Sequence, residues 1–143
     1  MLNILHPVDG STNALRATGK LVESLTWYAE PPWISLMAVH LPVPRYPNMN
    51  LVISEAMIDR YYKDELDSML EPSRKILDRA NTAYDVCTRI GGIAESIVDQ
   101  AHDAGSDLIV MGTRGMGALA GVVMGSVATR VLHLATTPVL LVP

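Results

Sequence analysis

Half of the chain's ten glycines fall within one run, Met111-Gly112-Thr113-Arg114-Gly115-Met116-Gly117-Ala118-Leu119-Ala120-Gly121-Val122-Val123-Met124-Gly125-Ser126. Glycine lets a backbone approach a ligand closely and adopt conformations closed to other residues. Ser126 stands where a helix is expected to start, and the free N–H groups and dipole of a helix N-terminus favour an anion. From Leu108 to Pro143 there is no Asp or Glu, whereas Arg114 and Arg130 are present. Glycines, a helix start and a carboxylate-free stretch with two arginines together suit phosphate groups. Five glycines could also serve tight helix–strand packing alone, but their company of Ser126 and two arginines favours phosphate.

The kind of phosphate site can be narrowed. A P-loop requires Lys directly after its last glycine, and no Lys follows Lys75. Gly115-Met116-Gly117-Ala118-Leu119-Ala120 fits G-x-G-x-x-G/A, but a dinucleotide site opens on a first βα turn and needs an acid about 20 residues later, which is missing. Asp9 is the sole acid of the loop after the first strand. It can orient a ribose or a metal-bound water, or simply hydrogen-bond within the turn Gly10-Ser11. His6, His40, His102 and His133 lack metal-ligand spacing and read as structural. Ser126 is not in a Gly-x-Ser-x-Gly elbow, which argues against a serine hydrolase. No catalytic residue is assigned. A single cysteine, Cys87, excludes an internal disulfide and a multi-cysteine zinc site, and its mid-strand position reads as a small buried hydrophobe.

These residues need elements to position them. Met1–Val8 is a short apolar run followed by the turn and cap residues Asp9-Gly10-Ser11-Thr12. Ala14, Leu15, Thr18, Leu21, Val22 and Leu25 then recur at helical spacing, until Pro31-Pro32. Trp33–His40 reads as a strand. Leu41–Asn50, with Pro42, Pro44 and Pro47, reads as a loop. Ser54–Asn81 is helical, with Pro72 expected to kink or split it. Tyr84–Ile90 is a strand broken by Gly91-Gly92. Ala94, Ile97, Val98 and Ala101 mark a helix closed near Gly105. Leu108–Met111 is a continuously apolar strand. A last helix should bury Val127, Val131, Leu132 and Ala135, and Pro138–Val142 is a final strand. Strands alternating with helices predict an α/β fold, a single open parallel sheet with helices on both faces. Ligands in such sheets sit beyond the carboxyl ends of strands, here Pro7–Thr12 and Met111–Ser126.

A chain of 143 residues is one domain, and 49% hydrophobic residues exclude general disorder. A net charge of −4 gives no nucleic-acid footprint. The opening apolar stretch breaks at His6-Pro7, too short for a signal-peptide core, and no long apolar run suggests a membrane span. The expected location is cytoplasmic.

The spacing Gly112-x2-Gly115-x9-Gly125-Ser126 resembles the G-2x-G-9x-G-[ST] pattern of ATP-binding members of the universal stress protein family. Ile4-Leu5-His6-Pro7-Val8-Asp9-Gly10-Ser11 looks like that family's opening strand and loop, Asp107–Gly112 like its fourth strand, and Gly125–Ala128 and Thr137–Val142 like its closing helix and strand. The resemblance covers essentially the whole chain. It implies a Rossmann-like, adenine nucleotide alpha hydrolase-like sheet of five parallel strands in the order 3-2-1-4-5. It implies ATP with Mg²⁺, bordered by Pro7, Val8 and Asp9 at adenine and ribose and by the Val39 backbone at adenine. Met111, Gly112, Arg114 and Gly115 would hold the ribose and first phosphates, and Gly125, Ser126, Val127 and Ala128 the outer ones. It also implies a homodimer through the last strand, Val139, Leu140, Leu141 and Val142, an edge that would otherwise be a pairing hazard. His6 stands where the family has an aliphatic residue, and the loop Leu41–Asn50 departs from it and could cover or block the adenine. The implied role is a nucleotide-dependent regulator or sensor in stress response. The alternatives are a slow ATP hydrolase or phosphotransferase using Asp9 and Ser126, and a nucleotide-free interaction module.

Overall fold

Neighbouring residues of each inner strand go to opposite faces, and each face has its own core. The computed structural model describes residues 1–115 and 124–143. Five strands, β1 (Asn3–Pro7), β2 (Trp33–His40), β3 (Tyr84–Ile90), β4 (Leu108–Gly112) and β5 (Val139–Val142), alternate with four helices, α1 (Thr12–Ser24), α2 (Glu55–Arg79), α3 (Ile93–Asp103) and α4 (Ser126–Leu134). The strands form one parallel sheet in the order β3-β2-β1-β4-β5, as the resemblance implies. Ile4, Ile34, Leu36, Ala38 and Val110 pack with α1 and α2 in one core. Leu5, Met37, Val39, Ile109 and Met111 pack with α3 and α4 in the other. The period-2 alternation of the strand side chains generates both cores from one sheet.

Strand order reverses between β1 and β4, so the loops leaving these two neighbours diverge to opposite faces and leave a crevice at their carboxyl ends. Register fixes this geometry: Ile4 pairs with Leu108 and Leu5 with Ile109. The Val8 N–H donates to the Met37 carbonyl at 2.8 Å, and the Thr113 N–H to the Val142 carbonyl at 3.0 Å.

Two expectations need correction, and a third, that Pro72 kinks or splits its helix, needs it in part. Pro72 does not split the second helix, which runs unbroken from Glu55 to Arg79. Its buried stripe Ile58, Tyr62, Leu66, Leu70, Ser73 and Leu77 continues on both sides of the proline. Docking that stripe outweighs an interior-proline penalty of about 3 kcal/mol, since each fully buried aliphatic side chain contributes roughly 1.5–3 kcal/mol. Leu132 is 44% exposed, because α4 turns Ala128 and Val131 to the core and Leu132 lies one 100° step away. Cys87 is only half-buried, on edge strand β3; burial, then the Asp85 charge, push its thiol up to about 11.

His6 is fully buried. Its Nδ1–H donates to the Val110 carbonyl at 2.6 Å, and its Nε2 lies 2.9 Å from the Thr18 hydroxyl, which lies 2.8 Å from that of Ser73. One imidazole thus ties β1, β4, α1 and α2 together. Burial pushes its pKa down to about 4, although the Val110 carbonyl favours the charged form.

Candidate functional site: the crevice between the first and fourth strands

Two loops converge at the reversal point. In the first, the Asp9 carboxylate accepts the Ser11 N–H through Oδ1 at 2.9 Å. Ser11 caps α1, its Oγ accepting the Ala14 N–H at 3.1 Å and its carbonyl the Leu15 N–H at 3.0 Å. Gly10 makes the bend: its φ is +81°, and a Cβ there would lie 3.3 Å from the Met69 Cα of α2. The second loop leaves β4 at Gly112. Asn13, in the first turn of α1, reaches across and accepts the Arg114 N–H through Oδ1 at 3.0 Å. A Cβ at Gly112 would collide with this same Asn13 oxygen, so only glycine admits the bridge.

The glycines of the motif come together in space. A Cβ at Gly115 would collide with Asp9 Oδ2, which puts the first acid of the chain against the fourth-strand loop. The Gly125 N–H donates to the Thr113 carbonyl at 2.6 Å, and a Cβ on Gly125 would lie 3.3 Å from the Arg114 Cα and 3.7 Å from the Gly115 nitrogen. Gly125, rather than Ser126, is the N-cap of α4; Ser126 is its first residue and is exposed. The side chains of Val127 and Ala128 pack with the α3–α4 core. What they and Ser126 present at the crevice is therefore the first-turn N–H groups, which have no intrahelical acceptor. The Met116–Ala120 portion of the alternative dinucleotide fingerprint lies outside the described residues.

The other expected residues take these places. Pro7 ends β1 and Val8 follows it, the Val8 side chain packing toward α1 and α2. Val39 and Met111 are near the carboxyl ends of β2 and β4, with their side chains in the α3–α4 core, so a ligand would meet them at the sheet's upper edge. His40 points to the opposite face, edge-on to Tyr61 and Tyr62 with ring centres 5.7 and 5.6 Å away. The proline loop is fastened on that face too: the Val43 N–H donates to the Tyr62 hydroxyl at 2.8 Å, and Arg45 pairs with Glu55. Loop and helix line an open pocket of about 430 Å³ that includes His40, Pro42, Ile53, Met57 and Tyr61. The loop thus lies on the α2 side of the sheet edge, opposite the face that receives Val39.

The charge of the crevice differs from the sequence expectation in one respect. Arg130 is paired with Glu95 of α3, which holds that carboxyl below its usual range. This leaves Arg114 as the arginine of the crevice, with its buried Nε lacking a hydrogen-bond partner among the described residues. Asn13 Nδ2 and Thr113 Oγ1 are buried and unpartnered there as well. Asn13 was not among the residues that sequence reasoning selected. Its signal was faint: a polar residue in the first turn of a helix, on the side that the apolar period marks as buried. No group of three or more His, Cys, Asp or Glu among the described residues could hold a metal ion. Among these residues no helix is long and apolar enough to cross a membrane.

Comparison with known proteins decides the family. The sequence pattern of the universal stress protein family matches residues 1–143. This chain belongs to that family. It is 42% identical to the universal stress protein YxiE of Bacillus subtilis, over 97% of each chain. It is 32% identical to a universal stress protein of Thermus aquaticus, covering 97% of this chain and 96% of that one. Its fold matches that of the universal stress protein UspA from Lactobacillus plantarum with a TM-score of 0.77 at 23% identity, over 99% and 97% of the two chains. Three other structures of this fold hold a nucleotide: cAMP in one universal stress protein (TM-score 0.68, 21% identity), AMP in one from Arabidopsis thaliana (0.68, 16%) and dAMP in one from Archaeoglobus fulgidus (0.61, 20%). Each covers at least 99% of this chain and at least 91% of its own.

Proposed function

We propose that this universal stress protein binds an adenine nucleotide, ATP with Mg²⁺, in the crevice between β1 and β4, and acts as a dimeric nucleotide-dependent regulator in stress response. The observation that carries the reading is the convergence of Asp9, Gly115, Gly125 and the α4 N-terminus at the strand-order reversal. Backbone N–H groups, one arginine and glycine surfaces suit phosphates, and the apolar upper edge at Val8, Val39 and Met111 suits a flat base. Buried polar atoms at Asn13, Thr113 and Arg114, without partners among the described residues, fit a polar occupant of the same crevice. The nucleotides held by proteins of this fold support the adenine class. Mg²⁺ would be held mainly by phosphates and water, since Asp9 is the one carboxylate of the first loop and already serves Ser11.

Calorimetric titration with Mg-ATP tests this reading. The wild-type chain should bind about one nucleotide per chain. Gly115→Val, whose side chain would occupy the space between Asp9 and the loop, should lose that binding with an unchanged circular dichroism spectrum. Undiminished affinity in the variant would remove the crevice as the site.

A further inference from the structure

Asn13 has two hydrogen-bonding ends and uses only one of them among the described residues. Oδ1 accepts the Arg114 N–H, which also fixes the orientation of the carboxamide. The Nδ2 donor is buried without a partner among the described residues, in a side chain of a residue only 9% exposed. Leaving a donor in that state costs the desolvation of the group. An aspartate would have the same shape, would accept the same Arg114 N–H, and would suit the positive end of α1 better. The amide therefore needs a reason. A second observation from another element lies at the same bend: Thr113, 8% exposed, has a buried hydroxyl that is also unpartnered among the described residues. Two polar groups, one from α1 and one from the β4 exit, are thus buried and without a partner among the described residues where the glycine segment begins.

We infer that Asn13 is a nucleotide-contacting residue of this crevice: Oδ1 holds the backbone at Arg114, and Nδ2 donates a hydrogen bond to an oxygen of the bound nucleotide, in its ribose or its phosphates. The inference rests on the adenine-nucleotide reading and adds to it a side-chain ligand from α1. It also explains the absence of a carboxylate at position 13, because an anion there would face the phosphates.

The test is calorimetric titration of the full chain with adenosine, AMP and Mg-ATP, for wild type, Asn13→Asp and Asn13→Ala. Asn13→Asp keeps the acceptor for Arg114 and removes the donor, and Asn13→Ala removes both without adding charge. Thermal melts without nucleotide establish that each variant folds. Loss of affinity by about tenfold or more in both variants for all three ligands supports a donor to the ribose. Loss in both for AMP and ATP, with adenosine unaffected, supports a donor to a phosphate. If Asn13→Ala binds like wild type, or Asn13→Asp binds adenosine normally while Asn13→Ala does not, the donor role is overturned. If the wild-type chain binds none of the three, the nucleotide reading itself falls and the role of Asn13 falls with it.

Discussion

His6 shows how one substitution in a familiar strand pattern acquires a physical consequence. A histidine buried with a pKa of about 4 is neutral in the folded protein at pH 5, whereas in the unfolded chain it is mostly protonated, its ordinary value being 6.5. The unfolded state therefore binds more protons between these two values, and stability must fall as pH falls through that window and stay level above it. The expected loss between pH 7.5 and pH 5 is about 2 kcal/mol, of which the partner-held carboxylates contribute little because they titrate lower still. Urea unfolding at the two pH values should show it in the wild type. His6→Met should flatten the difference while lowering stability at both, and an equally steep pH dependence in the variant would assign the effect elsewhere. At this scale the sequence was only partly legible. Scattered spacing favoured a structural role for His6, but the partners Thr18, Ser73 and Val110 come from three other elements that only the folded sheet brings together. Asn13 was hidden for the same reason: its carboxamide acquires meaning from Gly112 and Arg114, about a hundred residues away in the chain.

The elements themselves were more legible, because their signals are local. Short apolar runs and period-3.6 stripes marked the five strands and four α-helices of the described residues but not the 3-10 turns at Leu25–Trp27 and Met49–Leu51, and the glycine spacing marked the loop after β4. Misreadings occurred where a local rule met a tertiary force. Pro72 is the clearest case, since its cost is paid locally while the stripe from Ile58 to Leu77 gains its stability from the sheet. Restoring the missing N–H should then stabilise α2. An interior proline is about 3 kcal/mol worse than alanine in a helix, and its rigidifying effect on the unfolded chain returns roughly 0.4–1 kcal/mol. Pro72→Ala should therefore raise stability by about 2 kcal/mol, read as a higher urea midpoint with an unchanged m-value. A lower midpoint would mean that the proline ring, half-buried in the structure, packs better than the helix does without it. Ser126 and Arg130 belong to the same lesson. The helix starts at Ser126 as its place in the chain predicts, but the capping position is Gly125, and the Arg130 guanidinium is held by Glu95 on a neighbouring helix.

At the scale of the whole molecule, the sheet has two edges, β3 and β5. β5 bonds to β4 on one side only, so its outer side carries a row of backbone donors and acceptors with no strand beside it among the described residues. Leu140 of that strand is 39% exposed and lies with Trp27, Arg16 and Lys20 around a groove of about 230 Å³. We propose that this apolar edge strand, next to an exposed tryptophan, pairs with its own copy about a two-fold axis, which would satisfy both chains at once. The expected species is a two-chain particle by analytical ultracentrifugation. Leu140→Glu places a charge at the centre of the four-residue strand and opposes its symmetry mate, so it should give a one-chain mass with the circular dichroism of the wild type. A one-chain mass for the wild type at micromolar concentration would reject the β5 dimer outright. The variant also separates two properties. The crevice proposed to hold nucleotide is built from β1, β4, α1 and α4 of a single chain, so a Leu140→Glu monomer should retain nucleotide affinity; a monomer that loses it would place part of the site's stability in the partner subunit.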